Sequence, residues 1–360
     1  MNILVFTDSS SSLNSVRPEA EMYIAFADAG HKVTILTGAD SEYASVFRSH
    51  GIRLIDCQPK GKVSLRTIKT VRDELKRTHY DILYVTNSKS IPNGAFAAIG
   101  TEVKLVTYRG TTGGLYRHDP SAYLTHLHPR VDGIVCVSEA VRQDVVRRVW
   151  KNKDKVVAIH KGHNLQWYDV PPADLREFGI SDNDFTLICA VNVRPSKGIP
   201  VLLQAIEQLS DIPDLHLLLV GKNMDRYRNL ISKNSMHEHI HVTGYRHDVP
   251  SLITACDLLV QPSISGEGLP RAVMESMGCG TPAVLTTAGG GKEVVENGET
   301  GFVVPTRDPG AIAKRVRELY NNPELLEKMG RKGRKKIASD LSCQRSSQRY
   351  LDYFRMLLDK

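Results

Sequence analysis

Apolar residues come in short runs along this chain, and amphipathic stretches separate the runs almost throughout. The runs at 3–7, 32–37, 81–86, 104–108 and 133–137 predict strands. Helices are expected at 18–29, closed by Gly30, at 63–77 and at 139–149. In 63–77 the residues Leu65, Ile68, Val71 (or Arg72) and Leu75 recur at helical spacing. This alternation of strand and helix gives a parallel sheet covered on both faces.

The pattern then restarts. An irregular, proline-containing stretch at 161–173 reads as a linker, after which strands are expected at 185–191, 215–220, 240–243, 257–261 and 283–286. A helix is expected at 199–209, and an amphipathic one at 345–358. The chain is therefore expected to be α/β, with two Rossmann-like domains at 1–165 and 166–344. A last helical segment, 345–360, can pack back on the first domain. Two such domains in succession put a central cleft before the carboxyl ends of both parallel sheets, where ligands bind in such folds.

Composition narrows the picture modestly. The length, 360 residues, suits two domains, and 41% hydrophobic residues suffice for two ordinary cores. A formal net charge of +7 points to phosphate-bearing partners without choosing among nucleotide, anionic lipid and nucleic acid. The six cysteines are scattered, with no CxxC pair and no zinc spacing, and read as small buried hydrophobes of a reducing compartment. The first strand has no basic flank or cleavage site, and no apolar run reaches the roughly 20 residues that span a bilayer. A cytoplasmic protein is expected.

The most specific chemistry lies in Ser265-Gly266-Glu267-Gly268-Leu269-Pro270-Arg271-Ala272-Val273-Met274-Glu275. This segment follows the strand at 257–261 and runs into a helix whose first turn should hold Pro270. The glycines around Glu267 let backbone approach a ligand, and the helix N-terminus suits phosphate. A diphosphate repels carboxylates, so Glu267 and Glu275 are there for hydroxyl groups: one can reach a sugar, the other a ribose diol. A capped helix with solvated glutamates is the plainer reading, and the combination of features argues against it.

A second element opens the second domain. The strand Leu187-Ile188-Cys189-Ala190-Val191-Asn192-Val193 leads into Arg194-Pro195-Ser196-Lys197-Gly198. Two cations at the carboxyl end of a first strand can clamp a pyrophosphate and stabilise charge growing on it. Alone, this is an ordinary basic loop. The loops at Lys222 and at Tyr245-Arg246 also end strands and can meet a base, while Gly289-Gly290-Gly291-Lys292-Glu293 is a glycine-rich turn.

These residues together resemble the donor-site signatures of the family 4 glycosyltransferases: Arg194 to Gly198, Glu267 and Glu275 with seven residues between, then Gly290 with Glu293. The resemblance covers the C-terminal half in order and the N-terminal half mainly in rhythm, as at Ala29-Gly30-His31-Lys32-Val33-Thr34. It implies a GT-B fold, retention of sugar configuration, and a UDP- or GDP-linked sugar as donor. It further implies that Arg194 and Lys197 bind the diphosphate and Glu275 the ribose. Glu267, with Gly268 and Leu269, would lie at the donor sugar; Gly266 beside Glu267, and Tyr245 and Arg246 in their loop, are read from the residues as further donor-binding positions. No bound cofactor and no metal are implied; the one Asp-x-Asp, Asp182-Asn183-Asp184, precedes a strand and reads as a turn.

Two departures from the family pattern stand out. Ser9-Ser10-Ser11-Ser12-Leu13-Asn14-Ser15 replaces its usual glycine-rich loop after the first strand. Its histidine facing the donor sugar is also missing; Arg109, at the end of the strand 104–108, and His118 are the candidates for that role. No carboxylate stands out as a covalent nucleophile, so the expected mechanism is front-face transfer, with positioning and charge stabilisation as the protein's part.

The acceptor is expected on the first domain as a glycan or lipid-linked glycan of the cell envelope (polysaccharide or lipopolysaccharide), with no nucleic acid involved. Lys60, Lys62, Arg66, Lys69, Arg72, Lys76 and Arg77 form one basic stretch. Arg130, Arg142, Arg147, Arg148, Lys151, Lys153 and Lys155 form another. Both can serve an anionic membrane or a phosphorylated glycan, or simply be solvated helix faces. A nucleotide-sugar epimerase of the same architecture and a non-catalytic nucleotide-sugar binder are the alternatives.

Overall fold

The computed structural model describes residues 1–8, 13–38, 42–59 and 61–359, without the side chains of 13–15. The serines at 9–12 and Lys60, both singled out from the sequence, lie outside the described residues. The chain divides into two compact units, Met1–Gly162 with Leu341–Lys360, and His163–Asp340. These divisions fall a few residues from 165 and 344, and the last helix counts with the first unit.

The first unit carries β1 (Asn2–Phe6), α1 (Leu13–Asp28), β2 (Lys32–Thr37), α2 (Ala44–Ser49), β3 (Arg53–Asp56), α3 (Leu65–Arg77), β4 (Ile82–Val85), α4 (Ser90–Ala97), β5 (Lys104–Arg109), β6 (Gly133–Cys136), α5 (Glu139–Val146) and β7 (Val156–Ala158). Its sheet is parallel throughout, in the order β3-β2-β1-β4-β5-β6-β7. Strand alternation sorts β1 onto two cores: Ile3 and Val5 join one, Leu4 and Phe6 the other. Both faces must be covered for such a strand to form, which is why it reads as a continuous apolar run.

The second unit carries β8 (Phe185–Ala190), α6 (Ile199–Glu207), β9 (Leu215–Val220), α7 (Arg228–Ile231), β10 (Ile240–Gly244), α8 (Val249–Ala255), β11 (Leu258–Gln261), α9 (Arg271–Cys279), β12 (Ala283–Thr286), α10 (Gly291–Val294), β13 (Gly301–Val304), α11 (Pro309–Tyr320) and α12 (Pro323–Ser339). Its sheet is also parallel, in the order β10-β9-β8-β11-β12-β13. Finally α13 (Cys343–Leu358) packs on α1, where Phe26, Tyr84, Tyr350 and Phe354 form an aromatic cluster.

The sheets contain three strands beyond those read from the sequence, namely β3, β7 and β13, so β12 does not complete the second sheet. The stretch read as a linker is packed rather than loose. Lys161 reaches Glu19 at 2.6 Å, and a Cβ on Gly278 would sit 2.3 Å from the ring of Tyr168.

Candidate donor site in the second unit

In the second sheet the strand order turns between β8 and β11: β9 and β10 extend one way, β12 and β13 the other. Such switch points open a crevice at the carboxyl ends of the strands, because the flanking loops leave in opposite directions. The loop after β8 carries Arg194 and Lys197, and the loop after β11 carries Glu267. The two sequence segments thus meet at the switch point of a single unit.

Lys197 Nζ lies 2.5 Å from Glu267 Oε1. The same oxygen accepts from Ser263 Oγ at 2.6 Å, and Gln261 Nε2 lies 3.4 Å from it. Gln261 Nε2 also donates to Ser263 Oγ at 2.9 Å. Glu267 is only 7% exposed, so a cation and hydroxyl on one oxygen offset the cost of burying its charge. Gln261 and Ser263 were not read from the sequence as site residues. Their signal was a polar residue closing the apolar strand Leu258–Gln261, two residues before a hydroxyl that stands four residues ahead of the carboxylate.

Backbone geometry fixes this loop. Gly198, at φ +71°, leaves room for the Pro262 carbonyl, which would lie 2.0 Å from any Cβ there. Ile264 N donates to Ser196 O at 2.8 Å, which ties the Lys197 loop to the Glu267 loop. Gly289, at φ +71°, leaves room for Glu267 itself: its Cβ would meet the Glu267 carbonyl oxygen at 2.1 Å. Gly290 N donates to Gly268 O at 2.9 Å, completing the brace from the β12 side. Only residues without a Cβ allow these approaches.

Glu275 lies one turn into α9 and is buried, with Arg271 Nε 3.2 Å from its Oε1. Burial pushes its carboxyl up to about 7, against the opposing pull of Arg271. Pro270 stands at the N-cap of α9, one residue before the first turn expected to hold it. Gly266 is exposed at φ +75°, and Leu269 is half-buried beside it. The Arg194 side chain is exposed and unpaired among the described residues.

The loops after β9 and β10 also meet: Lys222 Nζ lies 4.5 Å from the ring centroid of Tyr245, which is 43% exposed. Arg246, expected at the donor, is engaged otherwise. Its guanidinium donates to both Asp248 oxygens at 2.8 and 2.7 Å and to Glu177 at 3.1 Å. Asp248, two residues on, takes both arms of that fork, and the geometry gives Arg246 a role in bracing its loop.

The first-unit candidates stand apart from one another in character. Arg109 turns back on its own loop, donating to Thr111 O at 3.1 Å and to Gly113 O, and burial lowers its pKa. His118 is exposed and stacks on Tyr116 with ring centroids 5.3 Å apart. Near Arg109 the sequence reading missed His126, whose Nδ1 lies 3.0 Å from Thr107 Oγ1; burial, with Arg109 adding, lowers it to about 3.

In the basic stretches, Lys62, Arg66, Lys69, Lys76 and Arg77 are exposed on or just before α3, while Arg72 donates to Ile99 O at 2.8 Å. Arg130 is no part of a free basic face, because it pins Ala98 O at 3.0 Å, Thr101 O at 3.1 Å, Val103 O and Asp132. Arg142 is paired with Glu139. Among the described residues no helix is long and apolar enough to cross a membrane, and no group of three His, Cys, Asp or Glu side chains could hold a metal ion.

Two family models match, end to end along the chain. Residues 20–167 match the model described as Glycosyltransferase Family 4, and 172–336 the one described as Glycosyl transferases group 1. The putative glycosyltransferase EpsD of Bacillus subtilis is 33% identical over 189 residues, 51% of this chain and 49% of that protein. The putative colanic acid biosynthesis glycosyltransferase WcaL of Salmonella typhimurium is 31% identical, covering 44% of this chain and 42% of its own length. The chain spans about half the length of the first curated relatives it matches, 49% and 54%. Among solved structures, a glycosyltransferase from Rickettsia africae superposes with a TM-score of 0.83 at 20% identity, over 100% of this chain and 99% of that one. HepE of Anabaena, in complex with UDP, gives 0.81 at 19% identity, over 99% and 100%. At these identities the structural likeness speaks for the fold.

Proposed function

The chain belongs to the family 4 glycosyltransferases, of the two-domain GT-B type, and from that premise we propose that it moves a hexose from a UDP-linked donor to an envelope glycan with retention of configuration. The observation that carries this reading is the junction of Lys197 and Glu267 at the switch point, with Glu275 behind it on α9. In this reading the second unit holds the donor. Arg194 and Lys197 take the diphosphate, the α9 N-terminus faces it, and Glu275 accepts from the ribose diol. Glu267, braced through one carboxylate oxygen, offers the other to the sugar beside Gly266, Gly268 and Leu269. Lys222 and Tyr245 flank the base. UDP is favoured over GDP because the HepE neighbour was solved with UDP.

The reaction breaks the bond between the anomeric carbon and the diphosphate oxygen and forms one to the acceptor oxygen on the same face. The acceptor's proton passes to the departing phosphate oxygen. Negative charge grows on the leaving group, and Lys197 and Arg194 stabilise it there without a metal ion. Arg109 shapes the loop after β5, the position where the resemblance puts a histidine, and His118 is the second candidate for that role. The first unit takes the acceptor, a glycan or lipid-linked glycan; the name of the WcaL relative supports a polysaccharide product. A peripheral membrane contact fits α3, where Leu65 is 83% exposed among Lys62, Arg66 and Lys69.

A thermal-shift screen of UDP, GDP and their sugars tests the donor reading, since a ligand at many times its Kd raises the melting temperature by mass action. Stabilisation by UDP or a UDP-sugar is expected, and its loss in Glu267→Ala together with transfer. Full transfer by Glu267→Ala, or no response to any nucleoside diphosphate, overturns the reading. Release of UDP and an altered free sugar without acceptor would instead identify an epimerase.

A further inference from the structure

Trp150, in the segment between α5 and β7, is 64% exposed. It is nevertheless held rigidly. Arg117 lies over its ring, with Cζ 4.0 Å from the centroid. That guanidinium is itself fixed, donating to Arg148 O at 2.8 Å and Val149 O at 3.3 Å, the two carbonyls just before Trp150. The indole Nε1 donates to Tyr123 Oη at 3.3 Å, and Tyr123 Oη donates to Arg117 O at 3.1 Å. The ring is thus clamped at one face and at its N–H edge, while much of its surface stays in water.

A clamp of this kind does little for stability, because it leaves the apolar area exposed. What it achieves is orientation: a large aromatic face presented with little rotamer entropy left to lose on binding. The surroundings say which chemistry suits that face. Residues 147–155 carry Arg147, Arg148, Lys151, Lys153 and Lys155 against one acid, Asp154. Of these Arg147, Lys151 and Lys153 are exposed. Tyr116, 40% exposed with Arg148 Cζ 5.0 Å from its ring, continues the patch.

We propose that Trp150 and its cationic rim form an accessory binding site for an anionic oligosaccharide, on the side of Tyr116 where Arg148 lies. One face of a pyranose ring presents C–H groups that stack on an indole, and a carboxylate or phosphate on the glycan meets Lys151, Lys153 and Arg147. A single clamped indole fits one sugar ring better than a nucleic acid strand, whose successive bases need successive platforms. The identity of the occupant rests on the glycan-acceptor reading above. Along the chain, α5 leaves the carboxyl end of β6, and its eight residues span about 12 Å before Trp150 is reached. The site would hold a glycan beyond its reacting end and keep a lengthening chain attached between transfers.

The test uses the full chain at low salt. With Trp167→Phe, Trp150 is the one remaining tryptophan and its fluorescence reports the platform. Titration with a hyaluronan octasaccharide is expected to give a saturable emission change, and maltooctaose a binding weaker by about tenfold. By calorimetry, Trp150→Ala should weaken both glycans by about tenfold or more, while Lys151→Glu with Lys153→Glu should weaken only hyaluronan. Because these side chains are exposed, UDP-induced thermal shifts should match the wild type in every variant. Undiminished glycan binding by Trp150→Ala, no emission change with either octasaccharide, or tighter binding of an oligothymidylate of equal length overturns the proposal. A wild-type chain that binds these glycans at Trp150 yet ignores nucleoside diphosphates would overturn the donor reading and leave the platform standing.

Discussion

Gly289→Ala separates the geometry of the Glu267 loop from the ordinary cost of losing a glycine. Gly289 and Gly298 both occupy the left-handed region, at φ +71° and +82°. An alanine at either is strained by roughly 1–2 kcal/mol. In a domain of this size that corresponds to a melting temperature lower by roughly 2–8 °C. The surroundings differ. A Cβ at Gly298 meets nothing within 4 Å, whereas at Gly289 it lies 2.1 Å from the Glu267 carbonyl oxygen and 2.7 Å from its carbonyl carbon and Cβ. Ordinary contact begins at 3.4 Å, so one loop must retreat by about 1.3 Å. A displacement near 1 Å at a reacting centre costs on the order of 10²-fold in rate.

The expected result is therefore asymmetric. Gly298→Ala should lose a few degrees of melting temperature and keep its kcat/KM. Gly289→Ala should lose kcat/KM by about two orders of magnitude, with a thermal loss only moderately larger. Donor turnover, followed as UDP release with calorimetric UDP affinity alongside, reads both variants. If Gly289→Ala turned over within threefold of Gly298→Ala, the wedge against Glu267 would have no bearing on catalysis, and the placement of Glu267 at the reacting sugar would fall.

Two pH dependences follow from burial. The Glu275 carboxyl is raised from 4.5 to about 7, so its contribution to stability is fully present below 4.5 and is lost as pH rises through 7. A ribose diol donates to the charged form, so UDP-glucose affinity should rise between pH 6 and 8 and become flat in Glu275→Gln; calorimetry across that range with a flat wild-type profile would refute the ribose assignment. In the opposite sense, His126 is lowered to about 3 and His241 to about 4 from 6.5, both mainly by burial. Their contribution is present above 6.5 and lost as pH falls toward those values, so melting temperature should drop on acidification below 6.5. The drop should be shallower in His126→Gln with His241→Asn, and an unchanged acid slope in that double variant would exclude these imidazoles as its cause.

The sequence made most strands legible because parallel strands buried on both faces are continuous apolar runs. The strands it hid are edge or near-edge pieces. β3 alternates polar ends around Leu54-Ile55, β7 has three residues, and β13 opens on Gly301. The helix α4 was hidden for another reason: nearly all of Ser90–Ala97 is buried, so it shows no polar face and no helical period. In the site, residue types and spacing announced Lys197, Glu267 and Glu275, because those depend on chain order along strand ends. The partner that each guanidinium takes depends on tertiary distance. Arg246 turned to Asp248 and Glu177, and Arg109 to the carbonyls of its own loop.

The ion pair at the switch point also bears on how a donor would bind. Lys197 and Glu267 are 2.5 Å apart with side chains only 22% and 9% exposed, so neither charge can be withdrawn without stranding the other in a poorly solvated place. A diphosphate arriving beside Lys197 adds negative charge next to a carboxylate, which would be unfavourable if Glu267 relied on Lys197 alone. It does not: Ser263 Oγ donates to the same oxygen at 2.6 Å and is itself held by Gln261 at 2.9 Å. The hydroxyl keeps Glu267 hydrogen-bonded while Lys197 shares its three donors between carboxylate and phosphate. Arg194, exposed and unpaired by any described side chain, would supply the second cation of the proposed site without disturbing that arrangement. If the loop after β8 takes a diphosphate as proposed, the loop after β11 would need both its hydroxyl and its carboxylate, and the two segments are already tied together by backbone as well as by charge.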